Sequence, residues 1–264
     1  MKKIVSLCVA LAMLVSASMA LAEGTDRLSK IKADGKLVVA TSPDYAPYEF
    51  LDTEGNAVGA DMAFAQYIAD ALGVELEVQS MDFDTVLAAI STGKVDLAIA
   101  GMVPKEERKE VMDFSDVYYN DGNQIILIRS EDSETLKTLT DFAGKTVAAQ
   151  NGTLQQDLVT QQLPDATMEP IAKIPDAVMM LMSGKVDGVA LASVVANQYI
   201  ANYPELVICE TPFAYEALGT AVAVVKDEPE LLEAVNAVVA DVVESGIYYQ
   251  WIDEAVQLNN SMGQ

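Results

Sequence analysis

The sequence Ser-Thr-Gly-Lys-Val-Asp-Leu-Ala-Ile-Ala at residues 91–100 recurs in modified form at residues 183–192, which read Ser-Gly-Lys-Val-Asp-Gly-Val-Ala-Leu-Ala. Each copy follows a short helical run that ends near the serine, and each continues into an apolar run that is typical of a buried strand. A chance recurrence is the alternative, because a glycine after a helix is common. The simplest interpretation is a pair of lobes built on one helix–turn–strand plan.

The rest of the chain alternates short apolar or β-branched runs with helical stretches. This alternation predicts an α/β fold with largely parallel sheets. We expect Gly73 to end one helix and Asp84 to cap another. The elements predicted around the first repeat are strands at 37–40, 74–79 and 95–100 and helices at 61–72 and 84–91.

Two tyrosine-containing turn segments mark where the chain is expected to pass between the lobes. Residues 118–122 read Tyr-Tyr-Asn-Asp-Gly, and residues 215–219 read Tyr-Glu-Ala-Leu-Gly. Each combines turn-forming residues with an adjacent strand-like run. Two connecting segments form a hinge, so we expect the lobes to open and close about them. The predicted division is lobe 1 at 23–118 and 221–264, lobe 2 at 122–217, and hinges at about 118–122 and 216–220.

The N-terminus has the organisation of a cleavable export signal. Two lysines precede an apolar run at 4–15, and Ala-Leu-Ala follows at 20–22. This order is typical of a signal peptide, so we predict that residues 1–22 are removed. A membrane anchor is the weaker alternative because the run is short, and Cys8 lacks the small preceding residue that lipid attachment needs. We therefore expect the mature protein in the periplasm or secreted into the extracellular space.

Composition excludes several kinds of function. The chain of 264 residues has no histidine, 16 basic and 40 acidic residues and a net charge of −24. The absence of histidine excludes His-based triads, Cys/His zinc sites and histidine bases, and we expect no metal or cofactor. Cys209 is the only cysteine outside the signal, so no intramolecular disulfide can form. The negative charge opposes nucleic-acid binding.

Several short motifs occur in a fixed order along the mature chain. Together they resemble the polar amino-acid-binding proteins of ABC importers, the bacterial extracellular solute-binding proteins of family 3. The resemblance implies a two-lobed type II periplasmic-binding-protein fold with two hinge crossovers, a small amino-acid-like ligand and a membrane ABC permease as partner. We expect a monomer. The motifs are Ser42-Pro-Asp-Tyr-Ala-Pro-Tyr-Glu-Phe50, Gly59-Ala-Asp61, Met81-Asp-Phe83, Ala100-Gly-Met102 with Glu107-Arg108, Met112-Asp-Phe-Ser-Asp116 and Gly152-Thr153.

Arg108 is the predicted partner of the ligand carboxylate. A guanidinium presents a planar fork of donors that matches two carboxylate oxygens, and the resemblance implies this role. The alternative is a solvated arginine in the charged run at 105–110. Gly101 and Val103 are expected to contribute backbone groups.

A second group on the carboxylate side is the turn before the helix that starts near residue 154. Thr153 and the N–H of Leu154 are predicted to help hold the anion, because a helix start presents free N–H groups and a positive dipole end. Thr153 alone fits an ordinary helix N-cap nearly as well. Tyr45 and Phe83 are expected beside the ligand side chain. Isolated aromatics are more often core residues, but these follow strand ends, where α/β proteins bind ligands.

The amino side of the ligand is left open by the sequence. Relatives typically carry an aspartate five residues after the aspartate of the second repeat, where this chain has Ala192, and some carry an acid where it has Ser42. Either another carboxylate pairs with the ammonium or the ligand lacks a conventional α-ammonium. The candidate carboxylates are those of Asp44, Glu49 and Glu216.

A binding protein without catalysis is the function that these features favour. A cyclohexadienyl-dehydratase-like enzyme would need an acid in the cleft, and Ala192 removes the obvious place for it. A ligand-sensing protein is a further alternative, and it would be expected to carry a transmembrane or signalling segment.

Overall fold

The computed structural model describes residues 26–263, so the predicted signal peptide at 1–22 lies outside the described residues. The described chain forms two five-stranded sheets and one small three-stranded sheet, with helices packed against them. The predicted α/β class is confirmed. Within residues 26–263 no helix is both long enough and apolar enough to cross a membrane.

The first sheet and its helices are built from both ends of the described chain. Helices α1 (Arg27–Asp34), α2 (Ala60–Leu72), α3 (Phe83–Ser91) and α4 (Glu106–Lys109) alternate with strands β1 (Lys36–Thr41), β2 (Asp44–Tyr45), β3 (Glu49–Leu51), β4 (Ala57–Val58), β5 (Glu75–Ser80), β6 (Leu97–Ala98) and β7 (Met112–Tyr119). The sheet order is β5-β1-β6, then a strand from the end of the chain, then β7. Strands β2, β3 and β4 form the small sheet.

The second sheet is built from the middle of the chain. It contains β8 (Gln124–Arg129), β9 (Thr146–Gln150), β10 (Thr167–Ile171), β11 (Gly188–Ala192) and β12 (Leu206–Ile208), with helices α5 (Leu154–Gln162), α6 (Ile174–Met182) and α7 (Ser193–Asn202) and two 3-10 turns (Ser130–Asp132 and Leu139–Phe142). The sheet order is β10-β9-β11-β8-β12. The chain then returns to the first sheet as β13 (Thr220–Val225), between β6 and β7, and ends in α8 (Pro229–Ser245) and α9 (Ile247–Met262).

The two copies of the repeated sequence occupy equivalent places in the two sheets. Strands β6 and β11 each lie between a parallel neighbour on one side and an antiparallel neighbour on the other. The aspartate of each copy makes the same pair of backbone contacts. Asp96 donates its N–H to Val38 O at 2.9 Å and accepts from Val38 N at 2.7 Å. Asp187 does the same with Thr146, at 2.7 and 2.8 Å.

These paired contacts give the repeat a physical cause. Each aspartate fixes the register of its strand against the parallel neighbour, so the interpretation as one plan used twice is favoured over chance. The glycine before each copy's lysine has a positive φ of 67° or 72°, which lets the chain leave the helix in a left-handed turn.

Two local predictions were wrong in their details. The residue at the N-cap of α3 is Asp82, and Asp84 lies in the first turn instead. The strand predicted at 95–100 is regular only at Leu97–Ala98. It stops early because Gly101, with φ of 52°, turns the chain and donates its N–H to a side chain at 2.7 Å instead of to a neighbouring strand.

That side chain belongs to Asp61, which joins four parts of the fold. Asp61 is fully buried near the start of α2 and accepts hydrogen bonds from Gly101 N at 2.7 Å, from Tyr118 Oη at 2.8 Å and from Tyr248 Oη at 2.6 Å. The backbone at the start of α2 packs closely against Tyr48, since a Cβ added at Gly59 would lie only 2.3 Å from Tyr48 O. Asp61 therefore ties α2, the loop after β6, strand β7 and helix α9 together.

Replacing Asp61 with asparagine is expected to lower the free energy of unfolding by about 2–4 kcal/mol, because the new NH2 group would face donors that already point at the carboxylate. Asp70→Asn is the matched control, since Asp70 lies exposed in the same helix and contacts the side chain of Gln66. We expect the control to change the free energy by less than about 0.5 kcal/mol. Urea unfolding of both variants is the measurement, and similar small effects in both would contradict the role of Asp61.

Candidate functional site

A small cavity lies where the two five-stranded sheets face each other. Its free volume is about 30 Å³, which is room for one or two water molecules. Its lining comes from three parts of the chain: the part that carries the first sheet, the segment between β7 and β8, and the part that carries the second sheet. The lining residues are Ser42, Asp44, Tyr45, Glu49, Phe83, Ala100, Gly101, Val103 and Arg108, then Asp121, then Gln150, Thr153, Leu154 and Gln155.

The ends of the parallel strands place these side chains. Ser42 directly follows β1, Gly101 follows the end of β6, and Gln150 is the last residue of β9. Ligands of open α/β sheets bind beyond the carboxyl ends of the strands. The structure therefore brings together ten of the residues predicted from the sequence: Ser42, Asp44, Tyr45, Glu49, Phe83, Gly101, Val103, Arg108, Thr153 and Leu154.

Arg108 is buried at the cavity wall, with 6% of its surface exposed. Its guanidinium donates from Nη1 to Val103 O at 2.8 Å and from Nη2 to Gly152 O at 2.9 Å. It also lies over the ring of Phe83, 5.5 Å from the centroid. Burial lowers the pKa of Arg108 to about 10, so the group remains cationic at neutral pH.

Backbone carbonyls and an aromatic ring offer Arg108 only partial charge. Within residues 26–263, its guanidinium forms no ion pair with a carboxylate. Arg108 is therefore not the solvated arginine of the alternative interpretation. It is a buried cation at a cavity, and the charges of Glu107 and Asp157 act on it without direct contact. A carboxylate entering the cavity would supply a direct charged partner.

Thr153 serves as the N-cap of α5 and also lines the cavity. Its hydroxyl donates to Gln150 O at 2.6 Å and accepts from Gln156 N at 3.2 Å. The Thr153 hydroxyl thus makes the hydrogen bond of an ordinary N-cap, as the alternative interpretation holds. Leu154 is the first residue of α5. The start of α5 presents its positive dipole end toward the cavity.

The two predicted aromatic residues have different surroundings. Tyr45 stacks on Tyr48 at 5.8 Å, and its hydroxyl accepts from Ala192 N at 3.1 Å and from Gln155 Nε2 at 3.2 Å. Burial raises the pKa of Tyr45 above its ordinary value, so the phenol stays neutral. Phe83 lines the cavity and also belongs to the apolar core beneath it.

Asp44 is a half-buried carboxyl group whose oxygens already accept three hydrogen bonds. It accepts from Ser42 Oγ, Gln150 Nε2 and Ile174 N, each at 2.9 Å. Burial raises its pKa above the usual value.

The other acidic side chains differ in how available their carboxyl groups are. Burial, together with the charge of Asp61, raises the pKa of Glu49 well above its usual range. Glu216 is exposed and does not line the cavity. Asp121, in contrast, is buried and lines the cavity.

Ala192 is buried, does not line the cavity and donates its N–H to the hydroxyl of Tyr45. Within residues 26–263, no group of three or more Cys, Asp or Glu side chains is placed to hold a metal ion.

Sequence reasoning missed Asp121, Gln155 and the buried Asp61. Asp61 is the hydrogen-bond partner of Gly101, Tyr118 and Tyr248. Asp121 is predicted only as part of the turn at 118–122, and Asp61 only as the start of a helix and as a member of the motif Gly59-Ala-Asp61. A usable signal was present for Asp121, because an acid in a segment that joins two lobes has a short path to the cleft between them. Gln155 carried no such signal, since a glutamine in the first turn of a helix is ordinary.

Two sheets facing a cavity with a buried guanidinium in its wall define the class of a two-lobed solute-binding protein. Residues 37–255 match the family model of the bacterial extracellular solute-binding proteins, family 3, and the chain belongs to this family. The resemblance predicted from the motifs is confirmed.

Two curated relatives are similar over most of their length. The arginine-binding extracellular protein ArtP of Bacillus subtilis is 34% identical over 214 residues, which cover 80% of this chain and 82% of the relative. The L-cystine-binding protein TcyJ of Escherichia coli K12 is 28% identical over 219 residues, which cover 83% and 82%.

A solved structure extends the likeness to three dimensions. It is an amino acid ABC transporter substrate-binding protein from Streptococcus pneumoniae bound to L-arginine, with a TM-score of 0.84 and 40% identity, covering 88% of this chain and 98% of that chain. The predicted type II periplasmic-binding-protein fold is confirmed, and the chain is an amino-acid-type solute-binding protein of ABC importers.

Replacing Glu49 with glutamine is expected to stabilise the protein more at pH 7 than at pH 5. A buried glutamate with a raised pKa stays protonated when folded but ionises when unfolded, so the wild type loses stability as pH rises from the unfolded pKa toward the folded one. The loss is about 1.4 kcal/mol per pH unit in that window, and glutamine has no proton to lose.

Urea unfolding of both proteins at pH 5 and pH 7 measures this difference. A gap between variant and wild type that does not change with pH would show that Glu49 titrates normally.

Proposed function

We propose that the protein binds a small, amino-acid-like solute that carries both a carboxylate and a positive charge, and delivers it to a membrane ABC permease. The buried guanidinium of Arg108, without a carboxylate partner among the described residues, carries this proposal. A cavity that pairs one cation with several acidic groups is complementary to a zwitterion or a cationic amino acid. The relatives named for arginine and cystine support this ligand class.

Binding and delivery of the solute require no chemical step. The similar proteins from Bacillus, Escherichia and Streptococcus are named as binding proteins, which supports binding without catalysis. The predicted signal peptide supports a location in the periplasm or outside the cell, where such proteins meet their permeases.

Arg108→Ala is expected to weaken binding of L-arginine, used as the probe, by about 100-fold or more, because the ligand carboxylate would lose its charged donor. Lys109→Ala is the matched control: it removes the same charge from the next residue, which is exposed and pairs with Glu106. The control should change affinity by less than about twofold.

Isothermal titration of the mature protein measures both effects. If wild type binds no member of a panel of L-arginine, L-histidine, L-cystine and L-glutamine, the proposed ligand class is wrong. Equal affinities of wild type and Arg108→Ala would overturn the role of Arg108.

The cavity is closed by contacts that span the two sheets, and we propose that the ligand enters when they separate. Asp44 accepts from Gln150 and Ile174, and Arg108 donates to Gly152. A volume of about 30 Å³ is too small for an amino acid, so the walls must move apart or repack to admit one. The segments at about 118–122 and 216–220 are the proposed hinges, since the chain passes between the sheets there.

Lys105 offers a way to test closure without touching the cavity lining. Its ammonium pairs with Asp157 across the gap and with Glu107 on its own side, at 2.6 Å. Asp157→Asn is expected to weaken L-arginine binding about 2–5-fold, mainly through faster dissociation, because the closed state loses one half-exposed ion pair. Glu107→Gln removes the other partner of the same ammonium and should leave affinity within about twofold.

Stopped-flow dissociation rates distinguish the two variants. The same small effect in both would mean that the pair between Lys105 and Asp157 does not contribute to closure.

A further inference from the structure

Asp121 is a buried carboxylate whose hydrogen bonding is incomplete. It lies on the short segment between β7 and β8, is 4% exposed and lines the cavity. Its Oδ2 accepts from Gln124 Nε2 at 2.9 Å. Its Oδ1 is buried and has no hydrogen-bond partner within residues 26–263. An oxygen in this state is costly unless a donor reaches it.

The carboxylate is held in place by neighbouring polar groups. Gln155 Nε2 donates to Gln124 Oε1 at 2.7 Å, which orients the Gln124 amide so that its NH2 group points at Asp121. The same Gln155 nitrogen also donates a hydrogen bond to Tyr45 Oη. Gln124 therefore holds Asp121 directly, and Gln155 and Tyr45 support Gln124, without occupying the free oxygen of Asp121.

Asp121 lies next to the position where the sequence lacks an acid. Ala192 is the strand partner of Gln124 in the second sheet. A Cβ added to Gly122 would lie 3.0 Å from Ser193 Oγ, so the segment that carries Asp121 touches the start of α7. An acid on this segment can face the same region of the cavity as a side chain at 192 would.

The other carboxyl groups near the cavity are less suited to pair with a cation. Asp44 already receives three donors, burial and the charge of Asp61 raise the pKa of Glu49 well above its usual range, and Glu216 does not line the cavity. Within residues 26–263, Asp121 forms no ion pair with a lysine or arginine. Burial raises the pKa of Asp121 above its usual value, and a ligand cation beside the carboxyl group would favour its ionised form.

We propose that Asp121 pairs with a positively charged nitrogen of the ligand, opposite the carboxylate that Arg108 holds. The inference rests on the proposed function. It assigns the amino side of the site to a residue on the connection between the sheets, instead of to a residue at the end of β11.

The test compares Asp121→Asn with Asp116→Asn in the mature protein. Asparagine keeps the shape of the side chain and can still accept from Gln124. Asp116 is exposed on β7, so its replacement removes the same charge outside the cavity. With L-arginine as the probe, we expect about a 100-fold loss of affinity for Asp121→Asn and less than a twofold change for Asp116→Asn. Unfolding midpoints without ligand show that both variants fold, and Asp121→Ser replaces the asparagine variant if it does not.

Two analogues show which nitrogen is involved. If Asp121 pairs with the α-ammonium, the loss persists for L-citrulline and disappears for 5-guanidinopentanoate, which has no α-amine. If it pairs with the guanidinium, the pattern reverses. Either pattern supports the proposal.

Other results would overturn it. Unchanged affinity of Asp121→Asn for L-arginine would do so, as would an equal loss for L-arginine and both analogues, which indicates a structural role. A wild type that binds none of the amino acids would instead refute the proposed function, and this inference with it.

Discussion

The hydrogen bonds that converge on Asp61 set the geometry of the cavity. One of them, from Gly101, fixes the loop that leads to Val103 and Arg108. The other two come from tyrosines on β7, the strand before the first crossing, and on α9, the last helix. A buried carboxylate with three strong donors is a costly group unless every donor is in place. The loop, the crossing strand and the end of the chain are therefore positioned together.

The cavity that results has opposite charges on buried, preoriented groups. Arg108 rests on two backbone carbonyls, and Asp121 rests on one glutamine amide, so each group keeps hydrogen-bonding capacity for a ligand. Groups held in this way lose little freedom when a ligand arrives, which favours affinity. Asp44, in contrast, uses its oxygens to join β2 of the small sheet to the end of β9 and the start of α6. Within one cavity, the Asp44 carboxylate thus serves closure and the Asp121 carboxylate serves ligand recognition.

The sequence predicted the architecture well because the architecture follows from local patterns. The repeat at 91–100 and 183–192 indicated two related units, and the structure gives its aspartates identical backbone contacts. Motif order placed most of the cavity-lining residues. Burial of the side chains decided two questions that the sequence left open. Whether Arg108 was solvated and whether Glu49 was charged depended on neighbours distant in the chain. Asp121 was missed because turn residues are ordinarily interpreted by their backbone preferences.

The most direct test of a ligand held between Arg108 and Asp121 is a crystal structure of the mature protein with L-arginine. We expect the ligand between the two sheets, with carboxylate oxygens about 2.7–3.0 Å from the Arg108 guanidinium nitrogens and a ligand nitrogen at the same distance from Asp121 Oδ1. A ligand carboxylate bound elsewhere, with Arg108 still engaged only by Val103 O and Gly152 O, would contradict this arrangement.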